Sequence, residues 1–233
     1  MIYEKNQSTS FAIGMFASIE LIKNRPEKIL RVYYSSKIKI NENVSKFFEL
    51  CGNLKIELIE KTKLVERISG KENVFVVTEF SKFEGLLENG NHLVLVNPSD
   101  MGNLGTILRT ALGFGVKNIA IIKPCVDIFD PKVIRASQGA IFKTNVQLFS
   151  SFEEYNAKFE KNKKYMFCLG GEDFLQSYNI KSCPFSLVFG NEATGLDENV
   201  IKFGEKIKIR QSDDIDSFNL AISVALGLYE FTK

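Results

Sequence analysis

Residues 92–122 read HLVLVNPSDMGNLGTILRTALGFGVKNIAII, and this stretch decides the fold. Residues 92–97 are an apolar run of strand length, and 118–122 are a second. Between them Leu104, Ile107, Leu108, Ala111 and Leu112 recur at helical spacing over 104–114. Arg109 points well away from that stripe and is left for solvent or substrate. The alternation continues with strands expected over 145–148, 165–169, 186–189 and 206–209. Helices are expected over 131–142, 152–161, 197–203 and from Ser217 onward. Apolar strands alternating with amphipathic helices make an α/β fold with a mainly parallel sheet covered on both faces. In such a sheet ligands sit beyond the carboxyl ends of the strands.

Working backward, residues 81–91 (SKFEGLLENGN) read as a linker with little local structure. Upstream, helices are expected over 18–24, 44–51 and 62–68, and strands over 29–34, 55–59 and 74–79, a small α/β sandwich. The expected division is therefore 1–80, a linker at 81–91, and 92–233.

The 233 residues are 45% hydrophobic and 25% charged, ordinary for a soluble globular chain, and no apolar run has the length of a membrane span. The first residues lack the basic and apolar regions of a secretory signal, so a cytoplasmic protein is expected. Cys51, Cys125, Cys168 and Cys183 form no CxxC pair, and His92 is the one histidine. Neither zinc nor a disulfide framework is suggested; the thiols are expected to be reduced and mostly buried, and His92 is read as a strand-boundary residue without a role. Net charge is +2, too small to announce a polyanionic partner. Distribution is more telling. Lys23, Arg25, Lys28, Arg31, Lys37 and Lys39 are interleaved with Tyr33 and Tyr34, a pattern that suits phosphate contacts and base stacking and equally suits a solvated charged face.

Three segments carry candidate chemistry. Residues 97–111 (NPSDMGNLGTILRTA) place a polar, glycine-bearing loop between a strand and a helix, where free backbone N–H groups can meet an anion or a ribose. The loop has neither GxGxxG nor GxxxxGK[ST], which excludes the common dinucleotide and P-loop patterns. Residues 187–196 (LVFGNEATGL) run a strand into a tight turn with Glu192 between two glycines, a turn glutamate or a site. Residues 207–223 (IKIRQSDDIDSFNLAIS) put Ser217 at the expected head of the last helix, where a serine is first of all an N-cap.

Taken together, DMGNLGTILRTALGFG, GNEATGL and SFNLAIS resemble the three motifs of the TrmH/SpoU branch of the SPOUT superfamily, the RNA ribose methyltransferases. The resemblance covers residues 92–233, including RASQGA at 135–140; residues 1–80 are similar in pattern to the ribosomal-protein-like RNA-binding domain that often precedes this catalytic domain, 30–37 matching best. It implies a trefoil-knotted catalytic domain, a homodimer with composite active sites, S-adenosylmethionine as cofactor and RNA as substrate, ribosomal RNA ahead of transfer RNA. No membrane and no metal are implied. Adenine would rest near Gly190, Ile209 and Phe218, while Asn103, Arg109, Glu192, Ser217 and Asn219 would line the reaction centre. Lys23, Arg25, Arg31, Lys37 and Arg109 would contact RNA. A guanidinium is a poor base, so Arg109 is expected to clamp the target phosphate and polarise the hydroxyl. Ser217 and Asn103 would position arginine or ribose, and Asn219 and Glu192 would keep the motif loops in register.

The chain departs from the family where Arg210-Gln211 replaces a usual Pro-Met pair and Asp213, followed by Asp214, replaces a glycine. These departures bear on cofactor affinity and RNA entry, because added carboxylates repel phosphate and a lost glycine reshapes a loop. The alternative is an RNA-binding or ribosome-assembly protein that keeps the fold with weak or lost catalysis; retention of all five motif side chains argues against it.

Overall fold

The computed structural model describes residues 3–171, 173–177 and 184–233. Its first elements are β1 (Thr9–Ile13), α1 (Met15–Asn24), β2 (Ile29–Tyr34), α2 (Glu42–Asn53), β3 (Leu58–Glu60), α3 (Thr62–Ser69) and β4 (Val76–Ser81). Then come β5 (His92–Val96), α4 (Met101–Gly113), β6 (Asn118–Ile122), α5 (Pro131–Ala136), β7 (Asn145–Phe149), α6 (Phe152–Lys158) and β8 (Lys163–Phe167). Last are β9 (Asp173–Phe174), β10 (Phe185–Phe189), α7 (Glu198–Ile201), β11 (Glu205–Lys208) and α8 (Leu220–Thr232). By their contacts these form two units, Met1–Phe83 with Asp127–Lys143, and Glu84–Val126 with Thr144–Lys233.

The first unit is a four-stranded sheet in the order β1-β4-β2-β3, with β4 antiparallel to both neighbours and β2 parallel to β3. Successive residues of a strand face opposite ways. Val32 and Val76 accordingly pack with Ile22 of α1 and Phe47 and Cys51 of α2, while Tyr33 and Val77 pack with Phe11 and with Val65 of α3. Segment 127–143 belongs to this unit through Phe80, whose ring meets Phe129 and Phe142 edge-on at 5.9 and 5.4 Å, and through Asp127, which accepts from Tyr3 and from Lys82 Nζ. The single helix expected over 131–142 is broken. Gln138 and Gly139 take left-handed conformations, and a Cβ at Gly139 would stand 2.8 Å from Glu20 Cβ, so α1 passes too close for a continued helix with side chains there. Lys55, expected to start a strand, is left-handed too (φ 56°), and β3 begins only at Leu58.

The second unit is a seven-stranded sheet, β7-β6-β5-β10-β8-β11-β9, parallel at every pairing. Val94, Ala120, Met166 and Val188 share one core with Phe152, Tyr155 and Phe159 on the α6 side and Val200 of α7. On the opposite face Phe231 of α8 meets Tyr165 and Phe185 at 4.7 and 5.3 Å. Gly227 of α8 lets that helix sit against the sheet, since a Cβ there would come within 2.9 Å of the Phe167 ring. The helix α8 starts later than expected. Its N-cap is Asn219, not Ser217, with Asn219 Oδ1 accepting from Ala221 N at 2.8 Å.

His92 does stand at a strand boundary, as the first residue of β5, but it is also a fully buried member of a closed polar network. Its Nε2 faces the Glu88 carbonyl at 2.8 Å and must carry the proton, so Nδ1 accepts from Tyr155 Oη at 2.9 Å. The Tyr155 oxygen in turn accepts from Ser186 Oγ at 2.6 Å, and Ser186 accepts from Asn162 Nδ2 at 3.1 Å. Cys51 is buried, Cys125 and Cys168 are half-buried, and Cys183 lies outside the described residues. Among the described residues no helix is long and apolar enough to cross a membrane, and no cluster of His, Cys, Asp and Glu has the makings of a metal site.

Candidate active site

Strands β5 and β10 are neighbours, and the chain leaves their carboxyl ends in opposite senses, toward β6 on one side and toward β11 on the other. A crevice opens at such a reversal. Beyond β5, Asn97 turns left-handed (φ 53°) and Asp100 caps α4, its Oδ1 accepting from Asn103 N at 2.6 Å. Beyond β10, residues 190–195 form a turn closed by reciprocal backbone bonds between Asn191 and Gly195, at 3.1 and 2.9 Å. Gly190 is required there, because a Cβ would overlap the backbone of Gly195 and Leu196.

Glu192 ties the two loops together. One carboxylate oxygen accepts from Ser99 N and Ser99 Oγ at 3.1 and 2.7 Å, the other from Asp100 N at 3.2 Å and Asn103 Nδ2 at 3.4 Å. Burial pushes the Glu192 carboxyl up, but the bonds from Ser99 and Asn103 outweigh it and hold the group below the usual carboxylate range. An ionised carboxylate at the head of α4 also suits the helix dipole. Asn103 Oδ1 then accepts from Asn219 Nδ2 at 3.0 Å, so Glu192, Asn103 and Asn219 form one chain through all three motif segments.

Beside this chain lies a cavity of about 360 Å³ lined by Gly190, Glu192, Ile209, Gln211, Ser217 and Phe218, among others. All three residues expected to hold adenine are thus on its wall. Ser217 is exposed on the same wall, in the loop before α8. Arg109 is not. It is exposed on α4, about 9 Å along the helix axis from Asn103, and no hydrogen bond or ion pair holds it among the described residues.

Sequence reasoning missed the segment after β8, whose Cys168, Leu169 and Gly170 also line the cavity, although a strand running into Gly170-Gly171 was a usable signal. It also missed Ser99 and Asn191, the latter donating to the Asn97 carbonyl at 2.8 Å. In the first unit the residues expected to contact RNA are mostly engaged already. The Arg25 guanidinium stacks over Phe83 at 5.3 Å, Arg31 pairs with Glu79 at 3.4 Å, and Lys37 pairs with Glu66 at 2.7 Å. Lys23 is exposed. Tyr33 is a core residue, 4% exposed and bonded to Glu79, and Tyr34 packs on Phe48, so the stacking expected of Tyr33 is unavailable in the fold.

Residues 90–229, more than half of the chain, match the model of the SpoU rRNA Methylase family. The chain is 34% identical over 140 residues to an uncharacterized tRNA/rRNA methyltransferase of Synechocystis sp., a match covering 59% of this chain and 51% of that protein. It therefore spans about half the length of that relative. It is 25% identical over 214 residues to an uncharacterized tRNA/rRNA methyltransferase of Archaeoglobus fulgidus, covering 88% of this chain and 92% of the other. The AdoMet-bound rRNA methyltransferase of Sinorhizobium meliloti has the same fold, with a TM-score of 0.82 at 24% identity over 96% of this chain and 87% of that one. On the family match, which contains all three motif segments and the cavity they build, the chain belongs to the SpoU rRNA Methylase family.

Proposed function

We propose that this chain is an S-adenosylmethionine-dependent RNA methyltransferase acting on a ribose 2′-hydroxyl, with ribosomal RNA as first substrate and transfer RNA as second. The observation that carries the reading is the Glu192–Asn103–Asn219 chain set against a cavity walled by Gly190, Ile209 and Phe218. The cavity's volume of about 360 Å³ lies in the range of small-molecule sites, and Leu196, Ile209 and Phe218 offer apolar surface to a purine. Backbone around Gly190 and Gly195 can approach a ligand closely. When bound, S-adenosylmethionine supplies the electrophilic methyl group.

The remaining work is orientation. Glu192 is no candidate base, because its oxygens already accept from Ser99, Asp100 and Asn103; it holds the β5 and β10 loops in register. Ser217 stands on the cavity wall to position ribose. Arg109 would clamp the target phosphate through its planar fork and polarise the hydroxyl, whose proton would pass to solvent water late in methyl transfer. Arg109 lies off the cavity wall of its own chain, which suits a homodimer in which it completes the partner's site. Ile222, Leu226 and Tyr229, exposed at helical spacing on α8, are the apolar face a second copy would cover. Residues 1–80 bind RNA substrate, where Lys23 is exposed and has no ion-pair partner among the described residues, 81–91 link, and 92–233 carry the trefoil-knotted catalytic part.

The test offers unmodified ribosomal and transfer RNA with radiolabelled cofactor. Label in ribosomal RNA together with one missing rung in its alkaline ladder is the expected result, since a 2′-O-methyl removes the hydroxyl that cleaves the chain. Label with an unbroken ladder would move the methyl to a base, and no label in either RNA would favour a binding protein with lost catalysis.

A further inference from the structure

Between β11 and α8 the chain runs through Gln211-Ser212-Asp213-Asp214-Ile215-Asp216, an exposed loop with three carboxylates in four residues. Like charges so close repel one another and favour an open loop. Yet its two ends both lie on the cavity wall, Ile209 and Gln211 on one side and Ser217 and Phe218 on the other. Among the described residues no backbone–backbone hydrogen bond joins these two sides. The Gln211 side chain supplies the join instead. Its Nε2 donates to the Ile215 carbonyl at 3.3 Å and to the Asp216 carbonyl at 3.0 Å. An amide oxygen would repel both carbonyls, so the orientation of the group is determined and both amide protons are used. Inside the ring Ser212 Oγ donates to Asp214 Oδ2 at 2.6 Å and accepts from Asp214 N at 3.2 Å, a tight turn that engages one of the three carboxylates. The residue before the latch is anchored away from the cavity: Arg210 lies over the Phe174 ring at 4.7 Å, and its N–H donates to Gln176 Oε1 at 3.3 Å.

We propose that Gln211 is a positioning residue for the cavity, closing loop 212–216 into a ring and so setting where Ser217 and Phe218 stand. The proposal rests on the reading of this cavity as the S-adenosylmethionine site, but the latch itself is made wholly of this chain's own atoms. Gln211→Glu keeps the shape and replaces the donor with an anion aimed at two carbonyl oxygens. Gln211→Met keeps the length and removes both bonds without repulsion.

Two measurements on the full chain decide the matter: calorimetric affinity for S-adenosylhomocysteine, and the rate at which an Asp-directed protease cleaves loop 212–216. Losing two hydrogen bonds and gaining repulsion should weaken binding by Gln211→Glu about tenfold or more at pH 7.5. A carboxyl in that place is protonated more readily than usual and donates once protonated, so much of the loss should be regained at a pH of about 5. Gln211→Met should bind weakly at both. The other ionisable groups around the amide are Asp213, Asp214 and Asp216 on the loop, Lys208 and Arg210 on the β11 side, and Glu192 and Cys168 on the cavity wall. Wild type measured at both pH values accounts for them. Cleavage in the loop should speed up in both variants. Affinity of Gln211→Glu equal to wild type at pH 7.5, a deficit the same at both pH values, or unchanged cleavage of the loop would each overturn the latch. Should wild type bind neither S-adenosylmethionine nor S-adenosylhomocysteine, the cofactor reading fails, and loop cleavage alone decides whether Gln211 holds the loop.

Discussion

Strands β5 and β10 carry a polar cluster at each end, and the two clusters are built on opposite terms. At the amino end His92, Tyr155, Ser186 and Asn162 are buried, and donors and acceptors follow one another without a gap. At the carboxyl end Glu192, Asn103 and Asn219 are linked just as continuously, but they are half-buried or exposed beside a cavity, and Asn103 shares α4 with Arg109, which has no partner among the described residues. A saturated, buried network rigidifies and does little else. Chemistry needs reachable groups with capacity to spare, and the motif residues at the carboxyl end have them.

The contrast breaks if a residue at the amino end governs rate or if one at the carboxyl end governs stability alone. The largest expected effect is at Arg109. Arg109→Ala should lower methylation at least about a hundredfold, the scale of removing one preorganised charge donor, while S-adenosylhomocysteine affinity stays within a few-fold. Arg109→Lys should recover little, because an ammonium lacks the fork. Label incorporation and calorimetry on the same preparations separate the two quantities, and full activity in the alanine variant would remove Arg109 from the mechanism.

His92→Leu should do the reverse. It leaves the Glu88 carbonyl without its donor and Tyr155 without its acceptor, which costs about 2–3 kcal/mol of stability. Urea unfolding reads that loss, and kcat measured well below the midpoint should be unchanged. A variant with wild-type stability would mean that the network is not the structural element described above.

Glu192→Gln should sit between these poles. A glutamine can accept from Ser99 or Asn103 but cannot take all the bonds the carboxylate takes, and the group is only half-buried, so about 1 kcal/mol of stability is expected to go. Cofactor affinity should fall several-fold because the β10 loop is no longer held to α4. Loss of all turnover with unchanged affinity would assign Glu192 to chemistry instead.

These clusters differ also in how far they were legible in the sequence. Leu104, Ile107, Leu108 and Ala111 announced α4, and all four are fully buried, because helical periodicity is a local signal that burial then uses. Strands β2 and β6 likewise sit where their apolar runs do. By contrast β1 was invisible: Thr9–Ile13 is short and mixed, and it becomes a strand by pairing with β4, as Phe11 does with Glu79 far along the chain. The break at Gln138-Gly139 was hidden for the same reason, since its cause is Glu20. At the site, the motif side chains were readable, but Ser99 was not, because nothing local marks it as the partner of a carboxylate 93 residues away. Ser217 and Asn219 are both good caps, and Asn219 serves as the cap while its amide reaches Asn103. Tyr33 misled because basic and aromatic interleaving describes an RNA-facing strand and an interior one equally well.

The smallest expected effect separates the two ends of the strands by pH. Burial lowers the His92 pKa, and the bond to Glu88 only partly restores it, so the folded value lies below the unfolded one of about 6.5. Below that pH the unfolded chain takes up a proton that the native chain refuses. The contribution of His92 is therefore fully present above about pH 6.5 and is lost as pH falls toward its folded value, with a slope of at most about 1.4 kcal/mol per pH unit. Glu192 is also depressed but as an acid: its contribution is present above the ordinary carboxylate value of about 4.3 and is lost as pH falls through the folded value. The windows do not coincide. Urea unfolding between pH 7.5 and about 5 should show a decline in wild type and in Glu192→Gln that is absent from His92→Leu. A decline of the same size in all three would place its origin in some group other than His92 and would remove the sharpest physical distinction between the two ends of β5 and β10.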